Sequence, residues 1–343
     1  MNSYTDNVPP STGSKRMRIG VVGAGMTGLT AARTLSHQGH DVVLVDKARG
    51  AGGRMTTRRN EDLRFDHGAQ YFTARDPRFL RQVMAWQECG LVAVWDARIA
   101  VIGDHDSGIK RQHTKRYVGV PGMSAICSEM ASELADCRFD WAVRKLKRRE
   151  ESWILTSDEN ESLECDVLIV TTPPEQACKL LADTQVDELI GGVEMMPCWA
   201  LMLVLDKPLF AEHDAAFVNQ GPLCWVSSQS SRPERPAINA WVLHASPEWS
   251  SMHLEKTADE VQELLLEAVR ELPLAQSFTV EFAVAHRWRY ALARQPLNCG
   301  AIWLGSKNLA LAGDWCHGSR VEGAFLSGIA AAARIMAAPY QNT

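Results

Sequence analysis

Gly23, Gly25 and Gly28 stand at the G-x-G-x-x-G spacing, and Asp46 follows Gly28 at the distance expected of a ribose-binding acid. Each glycine meets a steric demand. Gly23 allows a tight turn out of a strand, Gly25 lets backbone approach a pyrophosphate, and Gly28 lets a helix pack against a sheet. A helix starting inside this loop, at Met26 and Thr27, offers unpaired N–H groups and a positive dipole end to phosphate oxygens. Asp46, with Lys47 beside it, would accept the ribose hydroxyls. Glycines at a helix start cost about 1 kcal/mol each relative to alanine. A purely structural turn would not favour this cluster, which reads as a dinucleotide site.

Two further groups suggest which dinucleotide. In Gly52-Gly53-Arg54 the glycines let backbone pass close to a ligand, and the arginine can pair with phosphate or an anionic ring. The rival reading is a flexible surface loop. Far downstream, the Asp314 carboxylate of Gly313-Asp314 suits the hydroxyls of a ribityl chain, with simple turn capping as its rival. A helix beginning near Glu322 or Gly323 would aim its positive end at the neighbouring ring, favouring an anionic reduced flavin.

Aromatic residues mark the other partner of the reaction. Of eleven tryptophans, Trp199, Trp225, Trp241 and Trp288 could sandwich a planar ring, although core packing is the ordinary use of any one. Trp288 alternates with His286 and Tyr290, so the three would share one face of a strand. His286 and His244 are equally readable as satisfied core histidines.

The elements that position these groups follow from periodicity. Residues 18–46 read as strand, helix, strand, and residues 166–170 as a buried parallel strand ended by Thr171-Thr172-Pro173-Pro174. Residues 79–89 and 254–272 have helical spacing, and a helix follows Gly122 with Ser124 near its cap. Residues 141–148, 152–157, 199–205, 237–244 and 280–288 read as strands. The charges of 98–117 read as an exposed loop or hairpin.

This organisation is α/β, with a Rossmann-like FAD-binding domain from residues 17–75, 115–174 and 300–340. A mixed-sheet substrate domain, residues 76–114 and 175–299, is inserted into it. Residues 1–16 are polar, lack the apolar core of a secretory signal, and read as a mobile tail.

The bulk numbers exclude several classes. A net charge of −5 gives no basic field for nucleic acid or anionic membrane, and no apolar run reaches the roughly 18 residues of a membrane span. Nine cysteines without a C-x-x-C pair suit reduced thiols in a cytoplasm, with no disulfide framework and no metal site. Neither G-x-S-x-G nor H-E-x-x-H occurs.

Taken together, Gly23-x-Gly25-x-x-Gly28 with Asp46, Gly52-Gly53-Arg54-Met55, Thr171-Thr172-Pro173 and Gly313-Asp314 resemble the flavin-containing amine oxidase superfamily. Within it, Asp66-x-Gly68-Ala69-Gln70-Tyr71-Phe72-Thr73-Ala74-Arg75 and Gly122-Met123-Ser124 resemble the bacterial renalases. So do Ala285-His286-Arg287-Trp288-Arg289-Tyr290, Gly313-Asp314-Trp315-Cys316 and Arg320-Val321-Glu322-Gly323-Ala324.

The resemblance implies an amine-oxidase-type fold, non-covalent FAD, and oxidation of the 2- and 6-dihydro isomers of NAD(P) with dioxygen reduced to hydrogen peroxide. It implies that Gln70, Val143, Thr171, Gly323 and Ala324 join the cofactor site. Tyr71, Phe72, Thr73, Ala74, Arg75, Trp199 and His244 would face substrate with His286 and Trp288, while Glu322 would serve both sites. Cys316 is a neighbour of the flavin only.

Loss of hydride turns a dihydropyridine into an aromatic pyridinium without removing a proton, so no catalytic base is required. The site need only hold the ring roughly 3–3.5 Å from its acceptor. The rivals are an amine or polyamine oxidase, and a non-catalytic flavin-binding regulatory protein. Amine oxidases usually place a lysine near the flavin, and residues 280–290 contain none.

Overall fold

The computed structural model describes residues 16–103 and 114–338. The expected tail, apart from Arg16, and the middle of the charged 98–117 stretch lie outside these residues.

Apolar runs buried on both faces build the centre of the first sheet. Its six strands lie in the order Ile302–Leu304, Leu309–Leu311, Val167–Val170, Arg18–Val22, Asp41–Val45 and Asp136–Arg138. All neighbours are parallel except the antiparallel edge strand Ile302–Leu304. Helices Met26–His37 and Val321–Ala337 pack together, and small residues set their separation. A Cβ on Gly328 would sit 2.5 Å from the Thr27 carbonyl oxygen, and Thr27 Oγ1 donates to the Ala324 carbonyl at 2.9 Å. The alanine-rich composition of both helices therefore reflects close backbone approach. A three-stranded antiparallel sheet, Val143–Arg149, Ser152–Ser157 and Ser162–Cys165, contributes Trp153, Leu155 and Leu163 to a core shared with Leu168 and Val170.

The second six-stranded sheet runs Val280–Ala293, Met195–Leu205, Ala240–Ala245, Leu223–Ser228, Ala215–Val218 and Ile99–Ile102. Every residue of Met195–Leu205 is buried because both faces are covered. Odd-numbered Trp199, Leu201, Leu203 and Leu205 share a core with Val261 and Leu265 of helix Ala258–Arg270. Even-numbered Met202 and Val204 meet Phe65 of the hairpin Thr57–Asn60 and Leu63–Asp66 on the opposite side.

Several elements differ from expectation. Residues 99–102, expected in an exposed polar segment, form a strand parallel to Ala215–Val218, with Ala100 and Ile102 buried in the second core. The 254–272 helix shortens to Ala258–Arg270 because Thr257 and Glu260 form a capping box. The helix Met123–Ser132 has Gly122 at its N-cap and no side-chain cap, so Ser124 does not serve there. Helix Pro77–Glu88, expected with the substrate domain, packs Phe79 on Phe325 of Val321–Ala337 at 5.1 Å. Among the described residues, no helix is long and apolar enough to cross a membrane.

Candidate active site

A cavity of about 1040 Å³ lies between the two sheets. Its lining includes the residues that follow the carboxyl ends of three adjacent parallel strands: Gly23 after Val22, Asp46 after Val45 and Thr171 after Val170. That is the usual ligand crevice of an open parallel sheet. Its volume reaches the top of the roughly 300–1,000 Å³ range for single-ligand pockets.

The first glycine loop is built as the spacing required. Gly23 has φ +111°, and a Cβ there would lie 2.5 Å from Thr171 Oγ1. A Cβ on Gly28 would lie 2.0 Å from the Gly23 carbonyl oxygen, so its role is packing under the loop. Gly25 differs: it lines the cavity, and a Cβ there would meet no protein atom within 4 Å. Met26 and Thr27 line the cavity beside it. Gly53, at φ +53°, packs against the Gly25 backbone and brings the second glycine loop over the first.

Asp46 accepts from the Ala24 N–H at 2.6 Å through Oδ2 and from the Ala48 N–H at 2.8 Å through Oδ1. Its carboxylate is thereby fixed in orientation while keeping lone pairs for hydroxyl donors. Lys47 and Val143 line the same end. Trp141 Nε1 and Thr172 Oγ1 are buried without a protein partner, and both residues line the cavity. The helix starts at Gly25 and Arg320 also lack side-chain caps, leaving N–H groups for an anion. These unmet donors fit a dinucleotide phosphate and adenosine.

Midway along the cavity, Arg54 and Asp314 form a bidentate pair at 2.7 and 2.9 Å, and Arg54 also donates to the Ala291 carbonyl at 2.9 Å. Arg54 was expected to face phosphate or an anionic ring; its nearest anion here is the Asp314 carboxylate. Gly313 lies behind Asp314. Its N–H donates to Ser327 Oγ at 2.9 Å, and a Cβ there would meet the Trp315 ring at 2.3 Å.

Beyond this pair the cavity is walled by aromatic rings. Strand Val280–Ala293 brings the His286, Trp288 and Tyr290 rings to it, with Arg287 and Arg289 also along its lining. The His67 ring stands 4.7 Å from His286 and 5.0 Å from Trp288, and Trp288 Nε1 donates to the His67 carbonyl at 3.0 Å. Burial, reinforced by the neighbouring His286, lowers the His67 pKa to about 3. Burial likewise lowers His244 to about 4 and shifts His286 downward. All three rings are neutral at pH 7. The Cys198 thiol, on the adjacent strand, is pushed up by burial and stays protonated. The cavity-lining lysines, Lys47 and Lys179, follow strands of the parallel sheet, and the cage strand Val280–Ala293 carries none.

Beneath the cage lies a buried polar network. Gln70 Oε1 accepts from Ser227 Oγ and from Arg232 at 3.1 Å, while its Nε2 contacts His244 Nε2 at 3.2 Å. Gln70 therefore supports His244 and does not itself line the cavity. Asp66 binds Arg235 and accepts from Thr57 Oγ1 at 2.6 Å.

Other expected positions need correction. Trp199 is an odd-numbered residue of its strand, so it faces the helix-covered core, where Nε1 donates to the His253 carbonyl at 3.1 Å. Trp241 faces the same core. The run Tyr71 to Arg75 misses the cavity lining. Tyr71 packs on Trp225 at 5.4 Å, Phe72 on Tyr117 at 5.7 Å, Thr73 and Ala74 are half-buried, and Arg75 is exposed. Glu322 turns away to accept from the Arg75 and Asp76 N–H groups at 2.6 and 2.7 Å. Gly323 lines a smaller neighbouring hollow, while Ala324 lines the main cavity.

His67 was not singled out from the sequence. Its signal was the adjacent Gly68, where a Cβ would meet the Arg54 carbonyl at 2.1 Å and the Trp288 ring at 3.2 Å.

A dinucleotide cradle joined to an aromatic cage on this fold defines an FAD-dependent oxidoreductase. The NAD(P)-binding Rossmann-like pattern matches residues 21–85 and the flavin-containing amine oxidoreductase pattern matches residues 90–336. The chain belongs to the flavin-containing amine oxidoreductase family.

It is 44% identical over 52 residues to 4,4'-diapophytoene desaturase of Staphylococcus aureus (strain Newman), a match covering 15% of this chain and 10% of that protein. A protein assigned as a protoporphyrinogen oxidase from Exiguobacterium sp. 255-15 has a similar structure, with a TM-score of 0.74 at 12% identity. That likeness covers 94% of this chain and 99% of the other. Wild-type putrescine oxidase bound to putrescine gives 0.66 at 15% identity, over 94% of this chain and 100% of that one. At these identities the structures share the fold.

Proposed function

We propose that the protein oxidises the 2- and 6-dihydro isomers of NAD(P) to NAD(P)+, with dioxygen as the final acceptor. The balance is one dihydronicotinamide, one dioxygen and one proton giving one NAD(P)+ and one hydrogen peroxide. The observation that carries this reading is the neutral cage of His67, His286 and Trp288 next to the Arg54–Asp314 pair. Bound FAD supplies a two-electron acceptor. Gly23 to Gly28, Asp46 and the Val321–Ala337 helix start would hold it, with Asp314 toward the ribityl chain.

The residues of this chain position the substrate. Flat rings stack a planar dihydropyridine, and His244 offers a polar contact to a carboxamide. A pyridinium forms without loss of a proton, so the low pKa values of His67 and His244 carry no penalty. An amine substrate would enter as a cation, and the cage strand provides neither a carboxylate nor a lysine on its inward positions His286, Trp288 and Tyr290.

The test is anaerobic mixing of the FAD-loaded protein with borohydride-generated dihydro-NAD isomers, and separately with putrescine and other amines. Rapid flavin bleaching by the isomers, then peroxide in equal amount once air is admitted, is expected. Bleaching by amines with no response to the isomers would overturn the reading.

A further inference from the structure

Beside the cage, on the hairpin strand Thr57–Asn60 and outside the cavity lining, stands an arginine that the cofactor site leaves uncommitted. Across the hairpin, Arg58 stands directly opposite Phe65, and directly opposed residues of an antiparallel pair project to the same face. Phe65 packs on Phe282 of the cage strand at 5.9 Å. The Arg58 side chain therefore leaves the hairpin on the side of the strand that carries His286, opposite Phe65, which His67 follows by two residues. Its charge also depresses both histidines.

Of the neighbouring arginines, Arg54 is committed to Asp314, Arg235 to Asp66, and Arg287 and Arg289 to Glu255. Arg59 and Arg64 oppose each other on the other face of the hairpin, and Arg320 stands at the helix start on the cofactor side. Arg58 is exposed and makes no ion pair among the described residues, Glu61 and Asp62 at the hairpin tip included. A free cation beside an otherwise neutral cage and outside its lining, on a chain of net charge −5, suits an anion held outside the cage.

We propose that Arg58 binds the pyrophosphate of the substrate's own dinucleotide tail and so selects dinucleotides over tail-less dihydronicotinamides. The inference rests on the function proposed above, because a nicotinamide seated in the cage must leave its charged tail at the rim. The cradle end of the cavity is reserved for the adenosine of FAD. Guanidinium and pyrophosphate form paired, charge-assisted hydrogen bonds, and at an exposed position these are weakened by salt.

The experiment uses FAD-loaded wild type, Arg58→Ala and Arg58→Lys. ADP-ribose binding is measured by calorimetry. Flavin reduction is followed anaerobically with dihydro-NAD isomers and with the corresponding dihydronicotinamide riboside isomers, which lack the pyrophosphate. Arg58→Ala is expected to weaken ADP-ribose and dinucleotide binding about tenfold at low ionic strength. The loss should shrink in high salt, Arg58→Lys should recover most of it, and the riboside should respond as to wild type.

Unchanged ADP-ribose affinity in Arg58→Ala, absent ADP-ribose binding to wild type, or equal losses for riboside and dinucleotide would each overturn the proposal. If wild type reduces with no isomer while ADP-ribose binding still depends on Arg58, the anion site stands and the redox reading falls.

Discussion

Replacing Gly25 by alanine separates the cofactor from the fold. Gly25 has φ −84° and ψ 177°, which any L-residue adopts, and its added methyl would touch no protein atom within 4 Å. Alanine is a poorer N-cap than glycine by about 0.5–1 kcal/mol. It also restricts the unfolded chain, which returns about 0.4–1 kcal/mol. The apoprotein should therefore melt close to wild type.

The methyl nonetheless occupies the space that a pyrophosphate needs. Overpacking of about 1–3 kcal/mol corresponds to a loss of FAD affinity from roughly fivefold to beyond a hundredfold. Gly28→Ala makes the contrast, since its Cβ would lie 2.0 Å from backbone at Gly23. It should destabilise the apoprotein itself by about 1–3 kcal/mol. Thermal unfolding of the apoproteins and titration of FAD by flavin fluorescence give both quantities. Wild-type FAD affinity in Gly25→Ala, or a melting temperature as low as that of Gly28→Ala, would refute the assignment of this loop as the phosphate cradle.

Stability should also depend on pH through the cage. Unfolded, His67 and His244 take up protons below about pH 6.5, but folded they do so only near 3 and 4. The unfolded state binds more protons in that window, so stability is full above 6.5. It falls as pH drops toward 4 and 3, by up to about 1.4 kcal/mol per pH unit per ring. Urea melts from pH 7 to 4 should show this slope, and His244→Asn should flatten it. Asp66→Asn would leave Arg232 and Arg235 buried without their carboxylate. A loss of about 3–5 kcal/mol in urea unfolding is expected, and a change under about 1 kcal/mol would show that the network is not coupled through Asp66.

The nucleotide layer was legible because its signals are local. Residues 18–46 and 166–170 carry buried strands as apolar runs, and the glycines mark where backbone must approach backbone. The cage was half legible. Alternation placed His286, Trp288 and Tyr290 on one face, but relative register between strands is invisible in a single chain. Ala200 stands opposite both His244 and His286, so Trp199, one residue earlier, faces the other way.

Contacts closed over long separations were not legible. The Arg54–Asp314 pair joins residues 260 apart, and no spacing rule anticipates it. The run from Tyr71 to Arg75 is distinctive in sequence, yet Tyr71 is drawn to Trp95 and Trp225 by aromatic packing that only the folded chain creates.

The fourteen-residue strand Val280–Ala293 behaves as a ruler as well as a wall. Its inward rings meet His67 at one end. Three residues beyond Trp288, the Ala291 carbonyl is tied to Arg54, and the Ala293 N–H is tied to Ser319 Oγ at 2.9 Å. The pairing with Met195–Leu205 shifts register between Met196 and Cys198, opposite Trp288 to Leu292, so the span from ring to cofactor floor is set by that irregularity together with the rise of about 3.4 Å per residue. Point changes at 286 or 288 can alter which ring is accepted while that span holds. One inserted or deleted residue between 288 and 291 would instead displace Ala291 from Arg54 and break that register.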